Sequence, residues 1–293
     1  MAKLLVRVRR KAHSAVRWLR DLGEHLRVGL GPKSRLARTN SRAPLIVSLT
    51  SFPARIGGAW LAIESIFQQT LLPEKIVLVL SLEEFPHKKI PWTIKRQVAR
   101  GLEIMWVKKN GRSFDKLIPT RIVFPSASIL TVDDDKLLPK NLIAELMAVH
   151  SNQPDAIIGA RGWDMTSSGG TIDYGVGWTR ANADTPSRRL FLPGNAGVLY
   201  PAGSLDDRLN DMQRALALTP TSDDIWFWGI ATARQTTMKC LGKAVYPTIF
   251  FQKNSPALGD VNTVNNGPQF QAILDHFSIR DQVIAACDPD WQD

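Results

Sequence analysis

Only two cysteines, Cys240 and Cys287, occur in the 293 residues. So few thiols support neither a disulfide framework nor a thiolate zinc site, and ordinary packed or free cysteines are expected. Long apolar runs are missing too: none approaches the roughly 20 residues that span a bilayer. The N-terminus lacks the compact apolar segment and small-residue cleavage site of a secretory signal, so the folded body is expected in the cytoplasm. Neither G-x-G-x-x-G nor G-x-x-x-x-G-K-[ST] occurs, which removes the dinucleotide fingerprint and the phosphate loop of NTPases.

Charge is abundant but unevenly placed. Residues 1–42 hold twelve Lys or Arg against Asp21 and Glu24, whereas the other 251 residues carry 25 charges of each sign. The body is therefore formally neutral, with no global footprint for nucleic acid, and no nucleic-acid partner is expected. In the tail, Leu4, Leu5, Val8, Ala12, Ala15, Leu19, Leu22 and Leu26 recur near helical spacing, with Arg9, Arg10, Arg17, Arg20 and Arg27 between them. Such a basic amphipathic helix over residues 1–30 suits an anionic membrane surface, peripherally on the inner face of the cell membrane. A basic arm for nucleic acid and an organellar targeting peptide share this composition. Gly29, Gly31 and Pro32 end the helical pattern, "KSRLARTNSRAP" reads as a linker, and the folded body is expected to begin near Ala43.

From there strand-like and helix-like segments alternate: "PLIVSLT", "AWLAIESIFQQ", "EKIVLVLS", a helix near Pro91–Ala99, "LEIMWV", a helix around Asp115–Phe124, "ASILTV", "NLIAELMAVH" and "DAIIGA". This order is that of an α/β protein with a mainly parallel open sheet, whose ligands gather at the carboxyl ends of the strands. Thr50, Ser51 and Arg55 follow the first strand, Ser81 ends the second, and Asp133, Asp134 and Asp135 follow the fourth. Three adjacent carboxylates after a buried strand call for a compensating cation. Asp133 and Asp135 can approach one Mg²⁺ or Mn²⁺ from a tight turn, and such an ion bridges phosphate oxygens and stabilises a departing diphosphate. A solvated turn with helix-capping aspartates is the plainer account of the same run.

The opening "VSLTSFPARI…AIESIFQQTLLPEKIVLVLS", together with "FDKLIP", "TVDDD", "PDAIIGARGW" and "TSDDIWFWGIA", resembles A-type-fold nucleotide-sugar glycosyltransferases of family 2 and bacterial surface-polysaccharide transferases. The "VDDD…PDAIIGAR…DDI" series also resembles the exostosin transferase domain. The resemblance spans roughly residues 44–280. It implies the glycosyltransferase A-type fold, a mainly parallel, Rossmann-like sheet flanked by helices. It also implies one domain over 43–293, with a nucleotide-sugar-binding half (43–162) and an acceptor-binding half (163–293). By matching position, Thr50, Ser51 and Arg55 would line the nucleotide pocket, Asp133–Asp135 would hold metal and donor diphosphate, and Lys116 or Arg161 would neutralise the leaving phosphates. Ser81 joins this donor set.

In "TPTSDDIWFWGIA", Asp223 and Asp224 open a helix at its positive end, where carboxylates are favourable in any case. In the resembled families an acidic pair here faces the acceptor, so Asp224, with Asp223 beside it, is the expected catalytic base. Family 2 implies inversion at the anomeric carbon and the exostosin domain implies retention. His276 is the candidate third metal ligand by the same resemblance. Gly194 and Gly197 interrupt a strand-like run, where backbone meets a sugar or merely bulges. Trp163, Trp178, Trp226 and Trp228 offer stacking faces or core packing, with Trp178 expected to be the most exposed. "NSPALGDVNTVNNGPQ" reads as a flexible loop able to close over the donor.

These residues point to a metal-dependent glycosyltransferase moving a sugar from a nucleotide sugar, a UDP-sugar foremost, to a surface glycan or lipid-linked saccharide. A metal-dependent nucleotidyltransferase and a noncatalytic polyanion-binding protein are the alternatives.

Overall fold

The structure, a computed structural model, describes residues 18–36, 43–243, 249 and 258–287. A first helix, α1, occupies residues 18–30. Strands β1 (Leu45–Thr50) and β2 (Lys75–Ser81) are near-continuous apolar runs, as strands covered on both faces require. Between and after them lie α2 (Ile56–Phe67), α3 (Trp92–Val98), β3 (Leu102–Val107), a 3-10 turn at Arg112–Lys116, α4 (Ile118–Val123) and β4 (Ser128–Thr131). Next come α5 (Leu142–Asn152), β5 (Ile157–Gly159), β6 (Trp163–Asp164), β7 (Thr179–Arg180), β8 (Leu190–Phe191) and β9 (Val198–Tyr200). The last elements are α6 (Met212–Leu218), α7 (Asp223–Ala233), β10 (Met238–Cys240), α8 (Leu258–His276) and α9 (Arg280–Ala286).

Seven strands form the central sheet in the order β10-β5-β9-β4-β1-β2-β3, and β7-β6-β8 form a small second sheet. Only β9 runs against its neighbours in the main sheet, pairing antiparallel with both β4 and β5. Successive side chains on a strand point to opposite faces. Ile46, Val77, Val79 and Ile129 accordingly pack on one side with Phe114, Leu117, Ile225 and Phe227. Val47, Leu49, Ile76, Leu78 and Leu130 pack on the other with Ile63, Phe67 and Leu146. The expected mainly parallel, Rossmann-like sheet flanked by helices is thus what the chain forms.

The order of strands also places a crevice. The chain winds outward through β1, β2 and β3, then returns to lay β4 on the opposite side of β1. The connections leaving β1 and β4 diverge, and a cleft opens at the carboxyl ends of those two strands.

Two expectations change. Residues 258–269 of the segment read as a loop belong to α8, despite its Asn, Gly and Pro268; residues 254–257 lie outside the described part. What holds the helix there is tertiary: Phe270, Ile273 and Leu274 are fully buried in the core, and packing outweighs weak helix propensity. The second change concerns the N-terminus. Residues 18–36 belong to the packed structure, so it reaches back past Ala43. Val28 is buried with Leu61, Ala62, Leu137 and Ile249, and Gln68 Nε2 donates to the Val28 carbonyl at 2.8 Å. Arg100 Nε donates to the Ser34 carbonyl at 2.7 Å, and the Leu36 N–H to the Arg100 carbonyl at 3.1 Å. The face of α1 that docks carries Asp21, His25 and Val28, while Leu19 (59% exposed) and Leu26 (52%) look outward. Residues 1–17 and 37–42, with the rest of the basic stripe and linker, lie outside the described part.

Candidate active site

The cleft at β1 and β4 is a cavity of about 520 Å³ whose walls include Thr50, Ser51, Arg55, Lys116, Asp133–Asp135, Asp223 and Asp224. Residues separated by up to 174 positions in sequence therefore meet in one place. Lys116 joins them. The 3-10 turn that carries it is held by the Gly111 N–H, which donates to Asp115 Oδ2 at 3.0 Å. Its Nζ lies 2.9 Å from Asp223 Oδ2, 3.3 Å from Asp133 Oδ1 and 3.9 Å from Asp224 Oδ1. Burial works against its charge, yet Asp223, Asp133 and Asp224 together hold its pKa well above the usual lysine value.

Arg55, at the start of α2, grips the other end of the acidic turn. Its Nη2 is 2.8 Å from Asp134 Oδ1 and 2.8 Å from Asp135 Oδ2. Ser51 Oγ donates to Asp134 Oδ2 at 2.5 Å. Burial nevertheless pushes the Asp134 carboxyl up to about 6, and raises Asp135 too with help from the Asp133 charge. Asp133 goes the other way: burial opposes its ionisation, but Lys116, Arg55 and Lys136 hold it below the ordinary carboxylate value.

Asp223 and Asp224 occupy the first turn of α7, where the helix dipole favours carboxylates. Burial first, and then the neighbouring Asp223 charge, push Asp224 up to about 7. A carboxylate of that pKa can take a proton from a hydroxyl at neutral pH. Gly194 makes room for the group. Its N–H bonds the Asp224 carboxylate, and a Cβ there would lie 2.7 Å from Asp224 Oδ1 and 2.8 Å from Lys116 Nζ. The interruption at Gly194 thus serves the contact between these two side chains.

Other expected residues fall elsewhere. Ser81 is buried and accepts the Glu84 N–H at 3.2 Å, so it shapes a turn and lines no part of the cavity. Arg161 is likewise absent from the cavity wall; its guanidinium sits 5.2 Å over the Trp163 ring. His276 stacks on Trp226, ring centroids 6.1 Å apart, and the charges around it are those of Arg214, Asp211 and Arg208. The structure does not bring it to the aspartates. Trp226 and Trp228 are core residues, and Trp178 is half-buried among Tyr174, Phe191 and Phe270.

Glu84, Asn110, Arg112, Lys136 and Asn195 also line the cavity. Glu84 and Asn110 follow the ends of β2 and β3, so the strand-end rule that found Thr50 and Asp133 would have found them too. Arg112 has a positive φ of 54°, an uncommon backbone for a residue other than glycine, and its Nη1 donates to the Pro220 carbonyl at 2.9 Å. It thereby straps the 3-10 turn to the approach of α7.

The oxygen-rich wall fits a hard divalent cation. Six carboxyl groups face four Lys or Arg around the cavity, and Asp135 Oδ1 is buried without a hydrogen-bond partner. No group of three metal-ligating side chains converges among the described residues. Mg²⁺ suits such a place, because it is commonly held by one or two carboxylates with substrate phosphates and water completing the shell.

No protein-family model and no curated protein sequence matches the chain. Among solved structures it is similar to S. aureus TarS 1–349, with a TM-score of 0.47 and 11% identity over 83% of this chain and 70% of that one. It is also similar to a 4-diphosphocytidyl-2C-methyl-D-erythritol synthase, with a TM-score of 0.39 and 13% identity over 76% of this chain and 97% of that one.

Proposed function

We propose that the protein is a glycosyltransferase that moves a sugar from a UDP-sugar to a hydroxyl of a glycan or lipid-linked saccharide. The observation that supports this reading best is Lys116, which touches the acidic turn after β4 and the acidic start of α7 within one cavity. A donor diphosphate would be drawn to Arg55 and Lys116, and Asp224 lies in the same cavity, 3.9 Å from Lys116 Nζ. Asp133 and Asp135 would hold Mg²⁺ or Mn²⁺, which, when bound, offsets the charge of the departing nucleoside diphosphate. Asp224 accepts the proton of the acceptor hydroxyl as its oxygen attacks the anomeric carbon, and the bond from that carbon to the diphosphate breaks. A base so placed suits single displacement with inversion. The outward Leu19 and Leu26 of α1, with the basic charge of residues 1–42, suit peripheral attachment to an anionic cytoplasmic membrane face; among the described residues no helix is long and apolar enough to cross one.

A panel of nucleotide sugars with Mg²⁺ or Mn²⁺ tests the reading. One or more should raise the melting temperature and yield a nucleoside diphosphate, with inverted anomeric configuration in the product. The Asp133→Ala, Asp135→Ala double variant should lose at least about 100-fold in turnover, the scale on which removed electrostatic stabilisation of a leaving group is felt. Release of inorganic diphosphate from a nucleoside triphosphate would assign nucleotidyl transfer instead.

A further inference from the structure

Outside the cavity, two arginines share one patch in which, among the described residues, neither has a carboxylate in ion-pair contact. Arg180 on β7 is the register partner of Trp163 on β6, and directly opposed residues of an antiparallel pair put their side chains on the same face. Arg161 enters the same patch from the turn before β6, its guanidinium 5.2 Å from the centre of the Trp163 ring. Asp164, the acidic residue of that strand, is not available to either: Arg189 holds both of its oxygens, at 2.9 and 2.8 Å. Neither Arg161 nor Arg180 makes an ion pair with a carboxylate among the described residues.

A half-buried guanidinium next to a second cation is costly unless something anionic completes it. Burial first, and then the nearby Arg180, work against the Arg161 charge, while the Asp224 carboxylate works for it. The patch therefore feels the field of the candidate base. It does so from outside the donor cavity, whose own cations are Arg55, Arg112, Lys116 and Lys136.

We propose that Arg161 and Arg180, beside the Trp163 ring, form a subsite for an anionic group on the acceptor, a phosphate or a carboxylate. Guanidinium pairs suit both through charge-assisted, often bidentate, hydrogen bonds. The acceptor would bind with its charge over Trp163 and its hydroxyl towards Asp224. The inference rests on the glycosyl-transfer reading and adds the class of acceptor to it.

The probes are N-acetylglucosamine and its 6-phosphate, and galactose and galacturonate, titrated by saturation-transfer NMR with UDP and Mn²⁺ saturating; UDP affinity is measured separately. In the wild type at least one charged sugar should bind about tenfold or more tighter than its neutral parent, the scale of one charge-assisted hydrogen bond. Preference for the phosphate, the carboxylate or both says which anion is meant. In the Arg161→Gln, Arg180→Gln variant each pair should bind alike, with UDP affinity unchanged. Arg180→Gln alone, at an exposed position, should narrow the difference and keeps the test open if the double variant does not fold. UDP binding with no preference for charge in the wild type, or a preference that survives both substitutions, overturns the subsite alone. A parallel fall in UDP affinity also overturns it, by moving the arginines to the donor side. Failure of the wild type to bind any nucleoside diphosphate overturns the glycosyl-transfer reading, and the subsite with it.

Discussion

Lys116 shows how one side chain can be both a structural and a chemical centre. It is nearly inaccessible and faces three carboxylates, so removing its charge leaves Asp223 buried without a cation. Lys116→Met should cost about 3–5 kcal/mol in urea unfolding, and should weaken UDP binding in isothermal titration as well. Its neighbour in the chain, Asp115, offers a test by pH. Burial first, with Glu84 and Glu83 adding to it against the Gly111 N–H, pushes its carboxyl up to about 7. A group whose folded pKa is raised takes up its proton more readily in the folded state. Its contribution is therefore full at low pH, falls as pH rises from the unfolded value near 4 to about 7, and is flat above that. Asp115→Asn keeps an acceptor for the Gly111 N–H but does not titrate. The stability of the variant relative to wild type should climb across that window by on the order of a few kcal/mol, and a gap independent of pH would refute the assignment.

Among the elements, α2 ties the N-terminal stretch to the body through a buried charge. Glu64 is 2% exposed and accepts from Arg100 Nη1 at 2.6 Å and Nη2 at 3.1 Å, while Lys33 Nζ approaches to 3.5 Å. Glu64→Ala strands the Arg100 guanidinium, so a loss of about 3 kcal/mol is expected, and hydrogen exchange should quicken in residues 31–36. The strands and their ends were legible in the sequence because apolar runs of fixed length stop at polar turns. That pattern located Thr50 and Asp133–Asp135, whereas Asp224, at a helix start, was singled out by the family resemblance. What the sequence concealed is polarity that points inward. Gln269 and Asn266 look like loop residues, yet both are buried: Gln269 Nε2 donates to Thr221 Oγ1 at 2.8 Å and Oε1 accepts the Thr221 N–H at 3.0 Å. Local composition carries no trace of a partner some 48 residues away. The antiparallel direction of β9 was hidden for the same reason, since three apolar residues read alike in either sense.

For the molecule as a whole, α1 shows to solvent Leu19 and Leu26, two of the apolar side chains of the basic N-terminal pattern. Leu19→Asp with Leu26→Asp should lower binding to vesicles containing phosphatidylserine, by about tenfold or more given the area involved, and leave transfer to a soluble acceptor unchanged. Equal vesicle binding by the variant, read by sedimentation, would show that this side of α1 meets something other than lipid. The direction of β9 has a further consequence, and it concerns biosynthesis. β4 and β5 touch only through a strand that leaves the ribosome some 40 residues after β5, so a nascent chain ending before Val198 has two raw strand edges side by side. Truncation at residue 162 should therefore yield an aggregating fragment instead of an autonomous nucleotide-binding unit, because long-range pairing of this kind forms late.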